Sequence, residues 1–359
     1  MDQSKIFKDL LVVELASVLA GPAVGMFFAE LGARVIKIEN KKTGGDVTRK
    51  WKLPSEDPKD EFSAYYHSTN WGKESIFLDL SDEEDRNELM DLIKKADIVI
   101  SNFKSDSALK LQLDYDSLKP INPQMIYASI SAYGDKNPSP GFDAMLQAET
   151  GWMSMNGEPD GSPIKMPVAL IDIIAAHQLK QGILIALLKK ASSHEGSFVS
   201  VSLFDASVSA LANQASNYLN TNKIPQPMGS AHPNIAPYGD MFSTLDNVTI
   251  ILGVGTQKQF EGLCACLGLE LLIFDPRFKT NLDRLNNRGA LNFKLNIAIS
   301  SINFEDLKQR CLAKRVTIAR INNLEEVFSK EIAQRLILVK KLADSREVKS
   351  VKTVVFKIE

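Results

Sequence analysis

The first 135 residues alternate short apolar runs with amphipathic segments, and this alternation limits the fold more than anything else in the chain. Leu10 to Leu15 reads as a buried strand, followed by the turn Ala16-Ser17-Val18-Leu19-Ala20-Gly21-Pro22. AVGMFFAELG then reads as a helix closed by Gly32, and Ala33 to Glu39 as a second strand. Pro22 suits a first helical position and Gly32 a C-terminal cap. The unit has the size of a βαβ motif, about thirty residues. Glu74 to Leu80, Asp97 to Ser101 and Met125 to Ser131 read as further strands. Asp82 to Lys95 is an amphipathic helix with its acids first and its lysines last, as the helix dipole favours. This pattern predicts an α/β fold with a doubly wound parallel sheet of Rossmann-like type. A nicotinamide site is disfavoured. Glu39 stands where a ribose-binding acid could, but Gly21-Pro22-x-x-Gly25 is not G-x-G-x-x-G.

After a turn-rich break at residues 137–141, Phe142 to Gly151 reads as a helix carrying Asp143. Trp152 to Pro167 is a loop, and the apolar segment PVALIDIIAAHQLKQGILIALLKK follows. His194-Glu195-Gly196 precedes a strand, Ser197 to Leu203, and a helix from Asp205 to about Leu219. Thr221 to Pro237 contains four prolines and reads as a linker. Met241 to Thr244 and Val248 to Gly253 form an antiparallel pair around Asp246-Asn247, Thr256 to Leu267 a helix, and charged helical segments run to about Ala343. Val348 to Ile358 reads as strand. The expected division is a large α/β domain over 1–220, with 331–359 returning to it, and a smaller α+β domain over 221–330.

At 359 residues and 44% apolar composition the chain can bury two cores. A net charge of −2, with basic residues dispersed, gives no footprint for nucleic acid. Cys264, Cys266 and Cys311 do not fit a zinc or redox spacing and read as small buried apolar residues. The histidines at 67, 177, 194 and 232 form no helical pair, so no metal is expected. The N-terminus does not read as a signal peptide and no stretch approaches the length of a membrane span, so a soluble, cytoplasmic protein with no membrane contact is expected.

Asp172 is the carboxylate that draws attention. It sits inside the apolar run Val168–Ala176, just before a helix or in its first turn. It reads equally as an N-cap and as a carboxylate kept in a partly desolvated place for use. The sequence pattern alone leaves both open.

Several segments in order resemble the class III CoA-transferases, the family that also holds the 2-methylacyl-CoA racemases. They are VVELASVLAGP with ELGARVIKIE, GDVTR, DIVISNF, NPQMIYASISAYG, PGFDAMLQAETGWMSMNG, PVALIDIIAAHQLKQGILIAL, EGSFVSVSLFDA, HPNIAPYGDMFSTLD and DPRFKTNLDR. The resemblance implies that acyl-CoA and a carboxylic acid are the substrates and that Asp172 is the nucleophile. It places Asp143 as a second acid, and Lys104, Lys110, Arg49, Asn102 and Ala20 at CoA contacts. Each of these cations also reads as an ordinary solvated charge, and Asp143 as an exposed first-turn acid. The resemblance further implies an interlocked homodimer.

Departures from the family pattern sharpen the expectation. Racemases carry a histidine where this chain has Phe142, and phenylalanine cannot move a proton. A transferase is therefore expected, with racemisation or non-catalytic CoA binding as alternatives. Lys104 replaces the usual arginine, Asn40 a basic residue, and Leu19 a glutamine of formyl-type enzymes. No run of glycines occurs between 220 and 260, which points away from oxalate and formate.

Overall fold

The computed structural model describes residues 5–137, 139–342 and 345–359. The chain forms two compact units, one of Met1–Trp152, Lys165–Lys223 and Ile332–Glu359, the other of Met153–Ile164 and Ile224–Glu331.

In chain order the elements up to residue 221 are β1 (Leu11–Leu15), α1 (Ala20–Glu30), β2 (Arg34–Asn40), α2 (Ala64–His67), β3 (Glu74–Leu78), α3 (Glu83–Ile93), β4 (Ile98–Ser101), α4 (Ser105–Leu111), α5 (Tyr115–Leu118), β5 (Ile126–Ser131), α6 (Asp143–Glu149), α7 (Trp152–Met155), α8 (Leu170–Ser193), β6 (Ser197–Ser202), α9 (Leu203–Ser209) and α10 (Ala212–Thr221). The strands form one six-stranded sheet in the order β3-β2-β1-β4-β5-β6. Every neighbouring pair is parallel. The order reverses between β1 and β4, so the loops leaving their carboxyl ends part and open a crevice.

Both faces of the sheet are buried, which is why its strands read as continuous apolar runs. Val12, Ile98, Ile100, Ile126 and Ala128 pack on the face covered by α1 and α8. Their neighbours Val13, Val99 and Tyr127 pack on the other face with Leu89 and Ile93 of α3. The period of two along each strand divides the two cores.

The 24-residue α8 corrects one expectation, because it is long and apolar enough to cross a membrane by length and composition. Here it is the core helix of the sheet. Ile171, Ala175, Leu179 and Ile183 are fully buried at four-residue steps, one face of a helix. Gly182 permits the close approach: a Cβ there would lie 2.5 Å from Val199 Cγ1 of β6.

Three local expectations shift. Helix α1 starts at Ala20, so Pro22 is its third residue rather than its first. Proline is tolerated there because first-turn amides have no intrahelical acceptor. The single helix expected from Asp205 is two, α9 and α10. The Trp152 indole donates to the Ser207 carbonyl, and the amides of Ala210 and Leu211 bond three residues back instead of four. The tail strand ends early: β11 (Glu347–Val351) pairs antiparallel with β10 (Ile337–Lys341), not with the large sheet. Past it, the amides of Thr353 and Val354 donate to the Glu30 carboxylate at the end of α1. Ala343, the expected end of the helical region, lies outside the described residues.

The second unit holds a three-stranded antiparallel sheet of β7 (Tyr238–Ser243), β8 (Thr249–Gly253) and β9 (Thr317–Arg320). Helices α11 (Gln257–Leu267), α12 (Asn281–Asn286), α13 (Arg288–Ile299), α14 (Phe304–Ala313) and α15 (Leu324–Phe328) accompany it. Thr256 starts α11 with a capping box to Gln259. Cys264, Cys266 and Cys311 are buried in its core with Phe260, Leu263 and Leu295. Strand β9 was not foreseen, because TIAR is short and lies among charges.

Candidate active site

The turn after β1 is held in an uncommon shape. Val18 has φ +72°. A β-branched residue in the left-handed region costs roughly 1–3 kcal/mol and persists only where its surroundings impose it. The surroundings are named groups. The Asp46 carboxylate accepts from the Val18 amide at 3.1 Å and from the Thr48 amide and hydroxyl at 3.0 and 2.8 Å. Lys37 Nζ lies 3.0 Å from Asp46 and donates to Glu14 at 2.9 Å and to the Ala16 carbonyl at 2.7 Å. Lys73 Nζ pairs with the other Glu14 oxygen at 2.7 Å. These four side chains are almost wholly buried, two acids against two lysines. Burial pulls the Lys73 ammonium down to about 7, with Glu14 resisting. Burial also opposes charge on Lys37, but Glu14 and Asp46 outweigh it and hold that ammonium above its ordinary value. Gly25 of α1 leaves room for Glu14: a Cβ there would come within 1.9 Å of its carboxylate.

Asn102, at the end of β4, locks the same turn from the far side of the switch point. Its amide nitrogen donates to the Ser17 carbonyl at 2.8 Å, and its oxygen accepts the Ser17 N–H at 3.1 Å. Sequence reading expected a ligand contact from Asn102; both ends of its side chain are committed to the loop.

Asp172 is the third residue of α8, which rules out the N-cap reading. The cap position is Ala169, which has no side-chain bond to offer. Asp143 does the work from α6. Its Oδ1 accepts the Ile171 amide at 2.8 Å and its Oδ2 accepts the Gln147 side-chain amide at 2.6 Å. Gln147 in turn accepts the Met166 amide at 2.7 Å. Asp143 is therefore not an exposed first-turn acid: it is 9% exposed and fixes the start of another helix. Asp172 is also 9% exposed. Burial first, and the charge on Asp143 second, push its carboxyl up to about 7. Burial, then Asp172 and Asp143, also raise the Tyr65 phenol, which stands near both acids.

Asp172 lines a cleft of about 830 Å³ together with Ser17, Val18, Leu19 and Ala20, Asn102 to Ser105, and Phe142. The cleft lies at the carboxyl ends of β1 and β4, where an open α/β sheet binds its ligand. Leu19 precedes α1 and Ala20 opens it, so their amides have no acceptor within the helix. Lys104 is exposed and lines this cleft; Lys110 is exposed but is not among its lining residues. A second cleft of about 440 Å³ adjoins at Ser17 and Phe103 and reaches past Asn40, Lys42 and Ser81 at the ends of β2 and β3. Arg49 departs most from its expected place. It is 7% exposed and bonds both Glu39 oxygens, at 2.7 and 2.5 Å, and the Tyr66 hydroxyl at 2.9 Å. Its guanidinium lies over the rings of Phe62 and Tyr66, and it does not line the first cleft. Burial resists ionisation of Glu39, yet Arg49 wins and holds that carboxyl down to about 2.

Sequence reasoning brought Asp172, Ala20, Asn102 and Lys104 to one place. It missed Asp46, Tyr65 and Gln147. Asp46 was visible inside GDVTR, where the arginine took the attention; no spacing could have joined Gln147 to Met166. Among the described residues, no group of three or more His, Cys, Asp or Glu side chains is arranged to hold a metal ion.

An open parallel sheet with a crevice at its switch point, and a buried carboxylate on the crevice wall, is the architecture of an α/β enzyme that takes a large ligand across the carboxyl ends of its strands. The chain belongs to CoA-transferase family III, whose model matches residues 7–358. It is 40% identical over 324 residues to a succinate–glutarate CoA-transferase from Agrobacterium fabrum, covering 89% of this chain and 80% of that protein. It is 36% identical to an acetyl-CoA:oxalate CoA-transferase from Acetobacter aceti, covering 82% of this chain and 75% of that protein. Human succinyl-CoA:glutarate CoA-transferase is 32% identical, with coverage of 92% and 74%. The crystal structure of a CAIB/BAIF family protein from Brucella suis superposes with a TM-score of 0.84 at 38% identity, covering 98% of this chain and 93% of that one.

Proposed function

We propose that Asp172 carries CoA between a donor thioester and an acceptor carboxylic acid. The observation that carries this is the Asp172 carboxylate itself: buried, on the cleft wall, without a hydrogen-bond partner among the described residues, and lining the same cleft as a turn whose Ser17 and Val18 amides are held in place. An Asp172 oxygen attacks the thioester carbonyl carbon. The C–S bond breaks, CoA leaves as thiolate, and an aspartyl–acyl anhydride remains. The thiolate then attacks Cγ of Asp172, releasing the donor acid and leaving an aspartyl-CoA thioester. The acceptor carboxylate attacks that Cγ, freeing the thiolate again, and the thiolate takes the acceptor acyl group and restores Asp172. Splitting the exchange this way replaces one poor displacement by easier ones. Each tetrahedral centre needs donors for its oxyanion, and the amides of Leu19 and Ala20 supply them. The apolar flanks of Asp172 exclude water, which would hydrolyse the anhydride.

The acyl-pantetheine arm occupies the larger cleft and the nucleotide the adjoining one, passing Ser17 and Phe103. Lys104 is the cation that meets a phosphate, as a point charge rather than a fork. The names of the relatives support a dicarboxylic acid such as succinate or glutarate as acceptor. An interlocked homodimer, cytoplasmic, completes this reading; light scattering on the eluted protein reads the mass.

The test mixes the protein with succinyl-CoA and follows intact mass. Wild type gains a covalent adduct and passes CoA to glutarate; Asp172→Ala gains none. An adduct that persists in Asp172→Ala would refute the nucleophile. Oxalate as acceptor separates the dicarboxylate reading from an oxalate-linked one. Phe142 leaves the racemase alternative without its second proton carrier, and no exchange of an α-proton is expected.

A further inference from the structure

The Asp46 carboxylate has no part in the chemistry above, yet it is buried, borders the smaller cleft and bonds the turn that walls the larger one. It bonds the amide of Val18, the strained residue of the turn, while its partner Lys37 bonds the Ala16 carbonyl on the other side of that turn. Thr48 supplies two further donors to Asp46. Without Asp46 the Val18 amide would lose its acceptor and the backbone would fall back to negative φ, where a β-branched residue prefers to be. That rotation turns the peptide planes that follow, and these carry the amides of Leu19 and Ala20.

We propose that Asp46 is a positioning residue of the transferase: it holds Val18 in the left-handed conformation and thereby aims the Leu19 and Ala20 amides at the oxyanion. The proposal rests on Asp172 being the nucleophile and adds what keeps its oxyanion donors in register. A carboxylate suits the place. It accepts from three donors and also balances Lys37, which a neutral amide could not do.

Kinetics with succinyl-CoA and glutarate test it, together with melting temperatures. Asp46→Ala is expected to lower kcat on the order of 100-fold, the scale of losing an oxyanion donor, with KM for succinyl-CoA changed less than about threefold. Val18→Gly introduced into Asp46→Ala restores at least about tenfold of that loss, because glycine holds this φ without help. The single change leaves Lys37 unbalanced and can unfold the protein. Lys37→Met/Asp46→Ala removes one charge of each sign, leaving Glu14 against Lys73, and gives the same loss and the same rescue. The change in Tm caused by Val18→Gly is also more positive with Asp46 present than without it, since only then is there strain to relieve. A folded Asp46→Ala with wild-type kcat, a Val18→Gly that rescues neither background, or equal Tm changes would each overturn the proposal. Absence of transfer by the wild type would instead sink the nucleophile reading and the role of Asp46 with it; the Tm comparison still tells the two failures apart.

Discussion

Asp172→Asn should make the protein more stable while abolishing its chemistry. The carboxyl is raised from an ordinary 3.8 to about 7 by burial and by Asp143. The folded state therefore binds the proton more tightly than the unfolded chain between about pH 4 and pH 7. Stability contributed by Asp172 falls as pH rises through that window and is level above it. At 1.36 kcal/mol per unit, the carboxylate costs about 4 kcal/mol at pH 8 and about 2 kcal/mol at pH 5. Its place in the first turn of α8 returns roughly 0.3–1 kcal/mol through the helix dipole. Asparagine has the same shape and no charge to bury, so the variant gains about 3 kcal/mol at pH 8, where the dipole acts on the ionised group, and about 2 kcal/mol at pH 5, where folded Asp172 is protonated and the dipole returns nothing. Urea unfolding followed by tryptophan fluorescence measures this in the right unit, because Trp51, Trp71 and Trp152 all belong to it. A gain no larger at pH 8 than at pH 5, or a loss, would refute the reasoning. It would mean that Asp172 is stabilised by a partner, and a stabilised carboxylate is a poor nucleophile.

Transfer should gain about tenfold per pH unit below 7 and level above it, because only ionised Asp172 attacks; Asp143→Asn should move that limb to lower pH, read from kcat/KM against pH. An unmoved limb would show that Asp143 acts only by holding Ile171. Lys104→Ala should raise KM for succinyl-CoA by about twofold to fivefold at low salt and less at high salt, with kcat kept. Arg49→Ala should cost about 3–5 kcal/mol in urea unfolding, because it leaves Glu39 charged and buried without its partner. Arg49→Met/Glu39→Gln should cost less, and equal losses would show that the pair is not what Arg49 serves.

The sheet was legible because its signals are local. Leu11 to Leu15 and Ile98 to Ser101 are mostly apolar on both faces, and the helices between them announce their ends with Gly32 and Asp82. Asp172 was legible as an isolated charge in an apolar run, and the likeness to a family gave it a role. The break between α9 and α10 was not, since it depends on Trp152 reaching Ser207, fifty-five residues away. Arg49 was misplaced for a similar reason. A sequence shows a cation but not the carboxylate and rings that enclose it.

The sequence by itself determined the alternation that folds into a parallel sheet and the carboxylate in the apolar run of the core helix. These rest on periodicity and on single residues, which neighbours along the chain disclose. Only the tertiary structure decided which acid caps α8, where Arg49 is spent, and that Asp46 holds Val18 against its own preference. Those outcomes depend on which groups meet when water is removed. A buried charge or amide must find a partner, and the partner is chosen by the packing of distant segments.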